Sequence, residues 1–417
     1  MEQLTQSAVL VSIAPGTDRL PDTEISLEEL KRLLETAGGT CFATLIQVKD
    51  SFDPRTCIGS GKVEELRTLC ENNGITLVVF DFELSPSQIR NLEEDLGGGV
   101  EVIDRSMLIL DIFALHAKSG EGKLQVELAQ LKYTAPRLIG KGKELSRLEG
   151  RIGTRGPGES KLESDRRHLK SRVYALQRQL EELEAKRAVM RTARDRSAIP
   201  KVAIVGYTNS GKSTLLNRLT EAGVLAENKL FATLDATTRR LELPGGSAVL
   251  LTDTVGFIRN LPHHLVRAFK STLDEVTYSD ILLIVADLSD PEMENQLSVT
   301  LQVLAELHAA DKPIIYAYNK CDRAPELPAS LHSRPHEVFI SAATGFGIES
   351  LVQAIEEITS ARKSRVRLRF PYAEQSRLQL LYGSATIEEL HYEDDAIVVE
   401  AVLDERLRGQ LRPYVQS

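Results

Sequence analysis

The sequence lacks both long apolar runs and closely spaced cysteines. No stretch approaches the ~20 apolar residues that a membrane-spanning helix requires, so no integral membrane span is expected. The cysteines, Cys41, Cys57, Cys70 and Cys321, have no C-x-x-C spacing, which argues against a zinc site and a disulfide framework. The first residues lack the basic and then apolar pattern of a signal peptide. Together these absences favour a cytoplasmic protein in a reducing compartment.

The chain also lacks an overall positive charge and has few aromatic side chains. The formal net charge is −9, and aromatic residues make up 5% of the 417 residues. Any nucleic-acid-binding surface must therefore be local. Residues 137–172 do hold 11 Lys or Arg against five Asp or Glu, but few rings on which single-stranded bases could stack. This stretch fits an RNA backbone, or equally a solvated helix surface.

The distribution of apolar residues predicts a multidomain α/β protein with four parts. Residues 1–116 alternate short strands with helical segments roughly every 30 residues, which indicates a parallel α/β domain. Residues 117–195 carry leucines at heptad-like spacing on both sides of a Gly-rich stretch, which predicts a helical hairpin with a basic tip. Residues 196–362 return to strand–helix alternation, and residues 363–417 read as a small α/β or β-rich appendage.

Eight residues match G-x-x-x-x-G-K-[ST], the pattern of a loop that surrounds nucleotide phosphates. They are Gly206, Tyr207, Thr208, Asn209, Ser210, Gly211, Lys212 and Ser213. A predicted buried strand at residues 201–205 precedes them and a predicted helix follows, which is the context that the motif requires. The glycines let N–H groups turn inward, Lys212 adds a charge for the outer phosphates, and Ser213 offers a hydroxyl to Mg²⁺. This stretch predicts a phosphate-binding loop.

A second motif follows the next predicted strand and consists of Asp253, Thr254, Val255 and Gly256. Its carboxylate can support a Mg²⁺ shell, and the N–H of Gly256 can approach a γ-phosphate. The next residue is Phe257, where Ras-type enzymes carry a glutamine that orients the attacking water. Phenylalanine cannot orient water, so we expect slow intrinsic hydrolysis that a partner or another group accelerates. The catalytic residue stays unknown, and transition-state support is expected from Lys212 and Gly256.

Two further motifs identify the base. They are Asn319, Lys320, Cys321 and Asp322, with Asn-Lys-x-Asp spacing, and then Ser341, Ala342 and Ala343 after a later strand. Asp322 can accept two hydrogen bonds from the N1–H and exocyclic amine of guanine, a pair that adenine lacks. Asn319 can reach the N7 edge, and an N–H of the last motif can reach O6. Four motifs in this order predict a Ras-like P-loop GTPase domain, and the alternative is a P-loop ATPase.

Between the first two motifs lies the predicted first switch, with Phe231, Ala232, Thr233, Leu234 and Asp235. A threonine there can ligate Mg²⁺ while a γ-phosphate is present, and Thr233 is the expected ligand beside Ser213. Thr237 and Thr238 compete for that role, and a threonine-rich strand edge is the alternative. The carbonyl of Asn209 could also hold a monovalent cation such as K⁺ near the phosphates, although a loop-stabilising asparagine is an equal alternative.

Several longer phrases give the chain a resemblance to the HflX family of ribosome-associated GTPases, on the Obg/Era side of the P-loop GTPases. They lie at residues 104–113, 121–131, 153–159, 231–235 and 253–257. The resemblance covers residues from about 40 to 360. It implies an N-terminal α/β domain, a helical hairpin and a GTPase domain, sometimes with a C-terminal appendage. The departures are mild: Ser160 and Ser164 stand where the family pattern suggests threonine, and Ala236 where it suggests proline.

The resemblance also implies a function and partners. It implies binding of the large (50S) ribosomal subunit near its E site and GTP-dependent splitting or rescue of stalled ribosomes. It favours rRNA as the partner of the basic stretch, with Arg151 and Arg155 as the expected contacts. A GTPase acting on another client and an RNA-remodelling ATPase are the alternative functions, and a monomer is favoured.

Some relatives of the family are credited with ATP binding through the N-terminal domain. Residues 58–62 read Ile-Gly-Ser-Gly-Lys, but Thr56 takes the place of the first glycine and Val63 that of the Ser or Thr. This departure leaves an N-terminal ATP site undecided and favours its absence.

Overall fold

A computed structural model describes most of the chain. The described residues are 6–97, 99–136, 161–194, 199–220, 230–231, 236–259, 270–324, 334–361, 363–382 and 385–416. They fall into two compact units, one built mainly from residues up to 183 and the other mainly from the residues that follow. None of the helices in these ranges is long and apolar enough to cross a bilayer.

The first unit contains a four-stranded sheet in which every pairing is parallel, with strand order β2-β1-β3-β4. Its strands are β1 Ser7–Ala14, β2 Thr40–Val48, β3 Leu77–Phe80 and β4 Glu101–Asp104. Its helices are α1 Leu20–Thr36, α2 Ser60–Asn73, α3 Pro86–Leu96 and α4 Arg105–His116. The apolar strand residues form one core with α2 and α3. The predicted parallel α/β domain is confirmed.

Helix α4 is absent from the predicted elements. Five of its apolar side chains, at positions 108, 109, 110, 112 and 113, are buried, so they cover most of the helix surface and form no stripe. A helix that is apolar all round gives no 3.6-residue period for sequence analysis to detect. Its beginning is well defined, because the carboxylate of Asp104 accepts a hydrogen bond from the N–H of Met107 at 3.0 Å.

Two further helices correspond to the predicted hairpin. They are α5 Gly120–Thr134 and α6 Lys161–Arg194. Arg172 of α6 donates to the carboxylate of Glu127 on α5 at 2.8 Å, and Leu176 of α6 is fully buried. The predicted basic tip, with Arg151 and Arg155, lies outside the described residues.

The second unit contains a six-stranded sheet with strand order β10-β9-β8-β5-β7-β6, in which only β6 is antiparallel to its neighbour. The strands are β5 Lys201–Val205, β6 Thr237–Glu242, β7 Ala248–Asp253, β8 Ile281–Asp287, β9 Ile314–Asn319 and β10 Glu337–Phe339. The helices are α7 Lys212–Thr220, α8 Lys270–Tyr278, α9 Met293–Glu306 and α10 Ile348–Ala361. Strand β5 coincides with the strand predicted at residues 201–205, and the strand–helix alternation predicted for residues 196–362 is observed.

The C-terminal residues form a second, antiparallel sheet with strand order β12-β13-β11-β14. Its elements are β11 Lys363–Pro371, β12 Thr386–Tyr392, β13 Ala396–Asp404, α11 Glu405–Gln410 and β14 Val415–Gln416. Alternate residues of β11, namely Val366, Leu368 and Phe370, face a core of their own, while the arginines between them face outward. The appendage is therefore β-rich.

One buried ion-pair cluster in the first unit generates a stability prediction. The guanidinium of Arg105 is 3% exposed and contacts Asp81 at 2.8 Å and also Glu29. Replacing Arg105 with methionine would leave two carboxylates buried without their cation. We expect Arg105→Met to lower the free energy of unfolding of this unit by about 3–5 kcal/mol, measured by urea titration.

The control is the same substitution at Arg19, whose pair with Asp22 is more than half exposed. Arg19→Met should cost at most about 1 kcal/mol, because water already solvates both charges. Equal losses from the two variants would contradict the assignment of Arg105 to a stabilising cluster.

Candidate functional site

The four predicted motifs meet at one edge of the six-stranded sheet. The phosphate loop follows β5, Asp253 ends β7, Asn319 ends β9, and residues 341–343 follow β10. Strands β5, β7, β8, β9 and β10 are parallel, so their carboxyl ends lie at the same edge, where α/β sheets bind their ligands. The fold thus brings together residues that are more than 100 positions apart in sequence.

Two glycines of the phosphate loop are required by close approach and by backbone conformation. Gly206 has φ 147°, and a Cβ there would lie 2.2 Å from the carbonyl oxygen of Val285. Gly211 has φ 96°, and a Cβ there would lie 2.2 Å from the Nδ2 of Asn319. No L side chain fits either position without displacing the loop. The motif glycines are therefore needed for the shape of the loop itself.

The ammonium of Lys212 is buried beneath the loop. Its Nζ donates to the carbonyl oxygen of Tyr207 at 2.7 Å and to that of Gly206 at 3.2 Å. Burial lowers the pKa of Lys212 to about 8; the nearby Asp253 opposes this shift and Lys320 adds to it. A bound polyphosphate would favour the charged form of this lysine, so nucleotide binding and protonation are coupled here.

Ser213, one of the two residues expected to ligate Mg²⁺, lies beside Asp253, whose carboxylate is expected to support the Mg²⁺ shell. The hydroxyl of Ser213 donates to the carboxylate of Asp253 at 2.6 Å, and Asp253 is fully buried. Two hard oxygen donors at this distance beside a phosphate-binding loop fit Mg²⁺, which prefers few protein ligands together with phosphate oxygens. Two other loop hydroxyls, Thr208 Oγ1 and Ser210 Oγ, are buried and have no hydrogen-bond partner among the described residues. Phosphate oxygens are acceptors that could satisfy them.

The Asn-Lys-x-Asp motif joins the phosphate loop to the last motif. The Nδ2 of Asn319 donates to the carbonyl oxygen of Ser210 at 2.8 Å, and its Oδ1 accepts from the N–H of Ala342 at 2.9 Å. The sequence analysis expected Asn319 to reach the base. In the structure the side-chain amide of Asn319 joins the phosphate loop to the loop of residues 341–343. Asn319 therefore organises the site in addition to its expected contact with N7.

Lys320 makes contacts that the sequence analysis missed. Its Nζ donates to the carbonyl oxygen of Asn209 at 2.9 Å and to the carboxylate of Asp287 at 2.6 Å. Asp287 is the last residue of β8. A carboxylate at the carboxyl end of a strand in this sheet is the feature of the sequence that could have indicated its place in the site. Asn209 and Lys320 both have positive φ, 60° and 63°, so their contact joins two strained turns.

The remaining residues of the base motifs lie at the surface of the same loops. The N–H of Cys321 donates to the carbonyl oxygen of Ile340 at 3.2 Å, which ties this turn to the strand before Ser341. Asp322 is exposed, and Ala343 is exposed beside the buried Ala342. An exposed carboxylate next to an open loop can be reached by a base.

The predicted first switch is described only in part. Ala232, Thr233, Leu234 and Asp235 lie outside the described residues. Phe231 belongs to the first unit, where its ring packs edge-on against Phe113 with centroids 4.7 Å apart. The competing threonines, Thr237 and Thr238, lie in strand β6, and the Thr238 hydroxyl hydrogen-bonds that of Thr252 at 2.9 Å. For these two residues the strand-edge alternative holds.

Phe257 is fully buried and its main chain is bonded to the phosphate loop. Its N–H donates to the carbonyl oxygen of Gly206 at 3.0 Å, and its carbonyl accepts from the N–H of Thr208 at 2.8 Å. The neighbouring Gly256 packs against the same loop, since a Cβ there would lie 2.8 Å from the Cα of Thr208. The ring of Phe257 belongs to the core, consistent with the expectation that it does not orient water.

The sequence of the chain is similar to those of known GTPases. Three family models match: "GTP-binding GTPase N-terminal" at residues 24–114, "GTP-binding GTPase Middle Region" at 116–194 and "50S ribosome-binding GTPase" at 201–320. A protein named GTPase HflX from Lacrimispora saccharolytica is 48% identical over 415 residues, covering 99% of this chain and 96% of the relative.

A second relative of that name, from Escherichia coli K12, is 41% identical over 397 residues, 94% of this chain and 92% of its own length. Among solved structures, a GTP-binding protein from Sulfolobus solfataricus in complex with GDP is 27% identical. It has a TM-score of 0.44 and covers 86% of this chain and 99% of its own.

The buried lysine generates a prediction about protons. In the free protein Lys212 loses its charge as the pH rises through about 8, and a bound nucleotide restores that charge. We therefore expect GDP binding to take up close to one proton at pH 9 and only about a quarter at pH 7.5, with affinity falling above pH 8. Calorimetry at each pH, in two buffers of different ionisation enthalpy, measures the uptake. An uptake that does not change between the two pH values would contradict the assignment.

Proposed function

The chain belongs to the HflX family of GTPases, and from that premise we propose that it is a GTP-dependent switch that binds the large ribosomal subunit and splits or rescues stalled ribosomes. The chain is a GTP-hydrolysing enzyme of this family with a GTPase domain of the ribosome-binding class. Its particular task on the ribosome is the part that we propose.

The chemistry follows from the phosphate loop. Water attacks the γ-phosphate of GTP, the bond to the β-phosphate breaks, and GDP and inorganic phosphate result. Lys212 and the loop N–H groups stabilise the charge that moves to the leaving oxygen. Ser213 and Thr233 would ligate Mg²⁺ and Asp253 would support its shell, and the ion would neutralise phosphate charge when bound. The N–H of Gly256 detects whether a γ-phosphate is present.

Selection of guanine is assigned to the loops at the ends of β9 and β10. Asp322 accepts from the two N–H groups that distinguish guanine, and residues 341–343 cover the base edge that carries O6. Asn319 supports both loops through its hydrogen bonds to Ser210 and Ala342. An ATPase that remodels RNA is therefore not proposed.

The observation that carries the proposal is the family match over nearly the whole chain, combined with the burial of Phe257. A buried ring leaves the site without the usual side chain for orienting water, so hydrolysis should be slow until a partner supplies or positions that group. Relatives share the hairpin region as well as the GTPase domain, and the hairpin carries the local excess of 11 basic over five acidic residues. An rRNA surface is a partner that fits that charge.

A sucrose-gradient experiment tests the proposal. We expect cosedimentation with large ribosomal subunits in a non-hydrolysable GTP analogue and release in GDP, with faster GTP hydrolysis when subunits are added. Loss of 70S particles in favour of free subunits would establish splitting. Equal sedimentation in all nucleotides, or none with ribosomes, would favour a GTPase with another client.

The double variant Arg151→Glu/Arg155→Glu tests the hairpin tip in the same assay. It should weaken subunit binding at least about tenfold, because each reversal removes a phosphate contact, and it should leave GTP affinity unchanged. The control is Arg19→Glu/Arg90→Glu, which makes the same change of net charge at exposed positions of the first unit. Equal effects of the two pairs would remove the tip from the mechanism.

Asn209 provides a test for a potassium ion. If its side-chain carbonyl oxygen holds K⁺ near the phosphates, hydrolysis in K⁺ should exceed hydrolysis in Na⁺ by about tenfold, because a fixed positive charge stabilises the transition state. Asn209→Gly is the matched variant, since glycine tolerates φ 60° but removes the side chain. It should lose the preference for K⁺ and keep GDP affinity. Equal rates in the two salts would assign Asn209 to loop stabilisation.

A further inference from the structure

The short segment after the second motif, residues 257–259, is attached to the phosphate loop by the side chain of a loop residue. The N–H of Arg259 donates to the hydroxyl of Tyr207 at 2.7 Å, and Tyr207 is 5% exposed. Two residues earlier, Phe257 exchanges two main-chain hydrogen bonds with Gly206 and Thr208. Tyr207 and Phe257 thus form a parallel β-bridge, and the hydrogen bond from the N–H of Arg259 to the Tyr207 hydroxyl adds one more bond between the two segments.

The side chain of Arg259 extends this connection to a third element. Its guanidinium forms an ion pair with Glu292, and the two side chains are 19% and 23% exposed. Glu292 is itself fixed, because its N–H donates to Asp290 at 2.9 Å and its carboxylate accepts from Asn295 at 2.9 Å. Glu292 immediately precedes helix α9, so the segment is attached to a rigid element of the domain.

The connection determines the position of Gly256, which lies one residue before the bridge. A Cβ at Gly256 would lie 3.0 Å from the Nζ of Lys212 and 2.8 Å from the Cα of Thr208. Lys212 is the residue expected to bind the outer phosphates, so Gly256 borders the same small space. A donor held at such a place before the ligand arrives stabilises it without the cost of reorganisation.

We propose that Tyr207, Arg259 and Glu292 are positioning residues. Through the Tyr207 hydroxyl and the Arg259–Glu292 ion pair, they hold the peptide of Gly256 over the γ-phosphate site. They act through the main chain and touch neither the phosphate nor the water. This proposal gives the side chain of Tyr207 a role of its own. The main-chain carbonyl oxygen of the same residue accepts a hydrogen bond from Lys212. The inference rests on the GTP-hydrolysing activity and does not depend on the ribosome.

Tyr207→Phe tests the inference because it removes one oxygen and keeps the buried ring. We expect affinity for a non-hydrolysable GTP analogue and the hydrolytic kcat each to fall about fivefold, the change produced by losing one neutral hydrogen bond. Affinity for GDP, which lacks the γ-phosphate, should stay within twofold. The assays use fluorescent nucleotides and the full chain without ribosomes. Tyr372→Phe, which loses one hydrogen bond to the carbonyl oxygen of Glu393, is the control and should change none of these values.

A charge exchange tests the ion pair independently. Arg259→Glu and Glu292→Arg should each weaken binding of the GTP analogue, and the double variant should recover most of the loss, which a merely damaged loop would not do. Equal weakening of GDP and analogue, no recovery in the double variant, or faster hydrolysis by Tyr207→Phe would overturn the inference. Absence of hydrolysis by the unaltered chain would instead contradict its assignment as a GTPase.

Discussion

The nucleotide site depends on one buried charge. The ammonium of Lys212 lies under the phosphate loop, where burial lowers its pKa and two main-chain carbonyls are its hydrogen-bond acceptors. Those carbonyls must point inward, which forces the loop to curl and requires glycine at residue 206, where a Cβ would meet Val285. A polyphosphate thus supplies the negative charge for which the loop is already shaped.

Residues 257–259 are attached to that loop through main-chain bonds, so the segment that follows Gly256 is held in place before a ligand arrives. The peptides of Phe257 and Gly206 are bonded directly, and Arg259 is tied both to Tyr207 and to Glu292. Gly256 therefore precedes a segment that is fixed both to the phosphate loop and to the start of helix α9. Of the predicted first switch, the structure describes Phe231, which packs against Phe113 within the first unit.

Much of the fold could be predicted from the sequence, because parallel strands that are buried on both faces read as apolar runs with helices between them. Helix α4 could not, since its apolar residues surround the helix and leave no period. At the site, the motifs indicated which residues meet, because carboxyl ends of parallel strands share an edge. They could not show that both ends of the Asn319 amide bind neighbouring loops, that Asp287 pairs with Lys320, or that the Tyr207 hydroxyl holds Arg259. Such contacts depend on side-chain directions that a motif does not encode.

The burial of Phe257 bears on why this domain would act as a switch rather than as an efficient hydrolase. A polar side chain at this position would have to remain in the site to orient water, and it would shorten the lifetime of the GTP state. A fully buried ring instead contributes packing energy, about 1.5–3 kcal/mol for complete burial, to the same segment whose main chain is bonded to the phosphate loop. Phe257, which stands where a water-orienting side chain would be expected, thus stabilises the loop arrangement through which Gly256 would detect the γ-phosphate. On the proposed function, the GTP state would persist until a ribosomal surface supplies what the side chain cannot, so that hydrolysis follows binding of the partner.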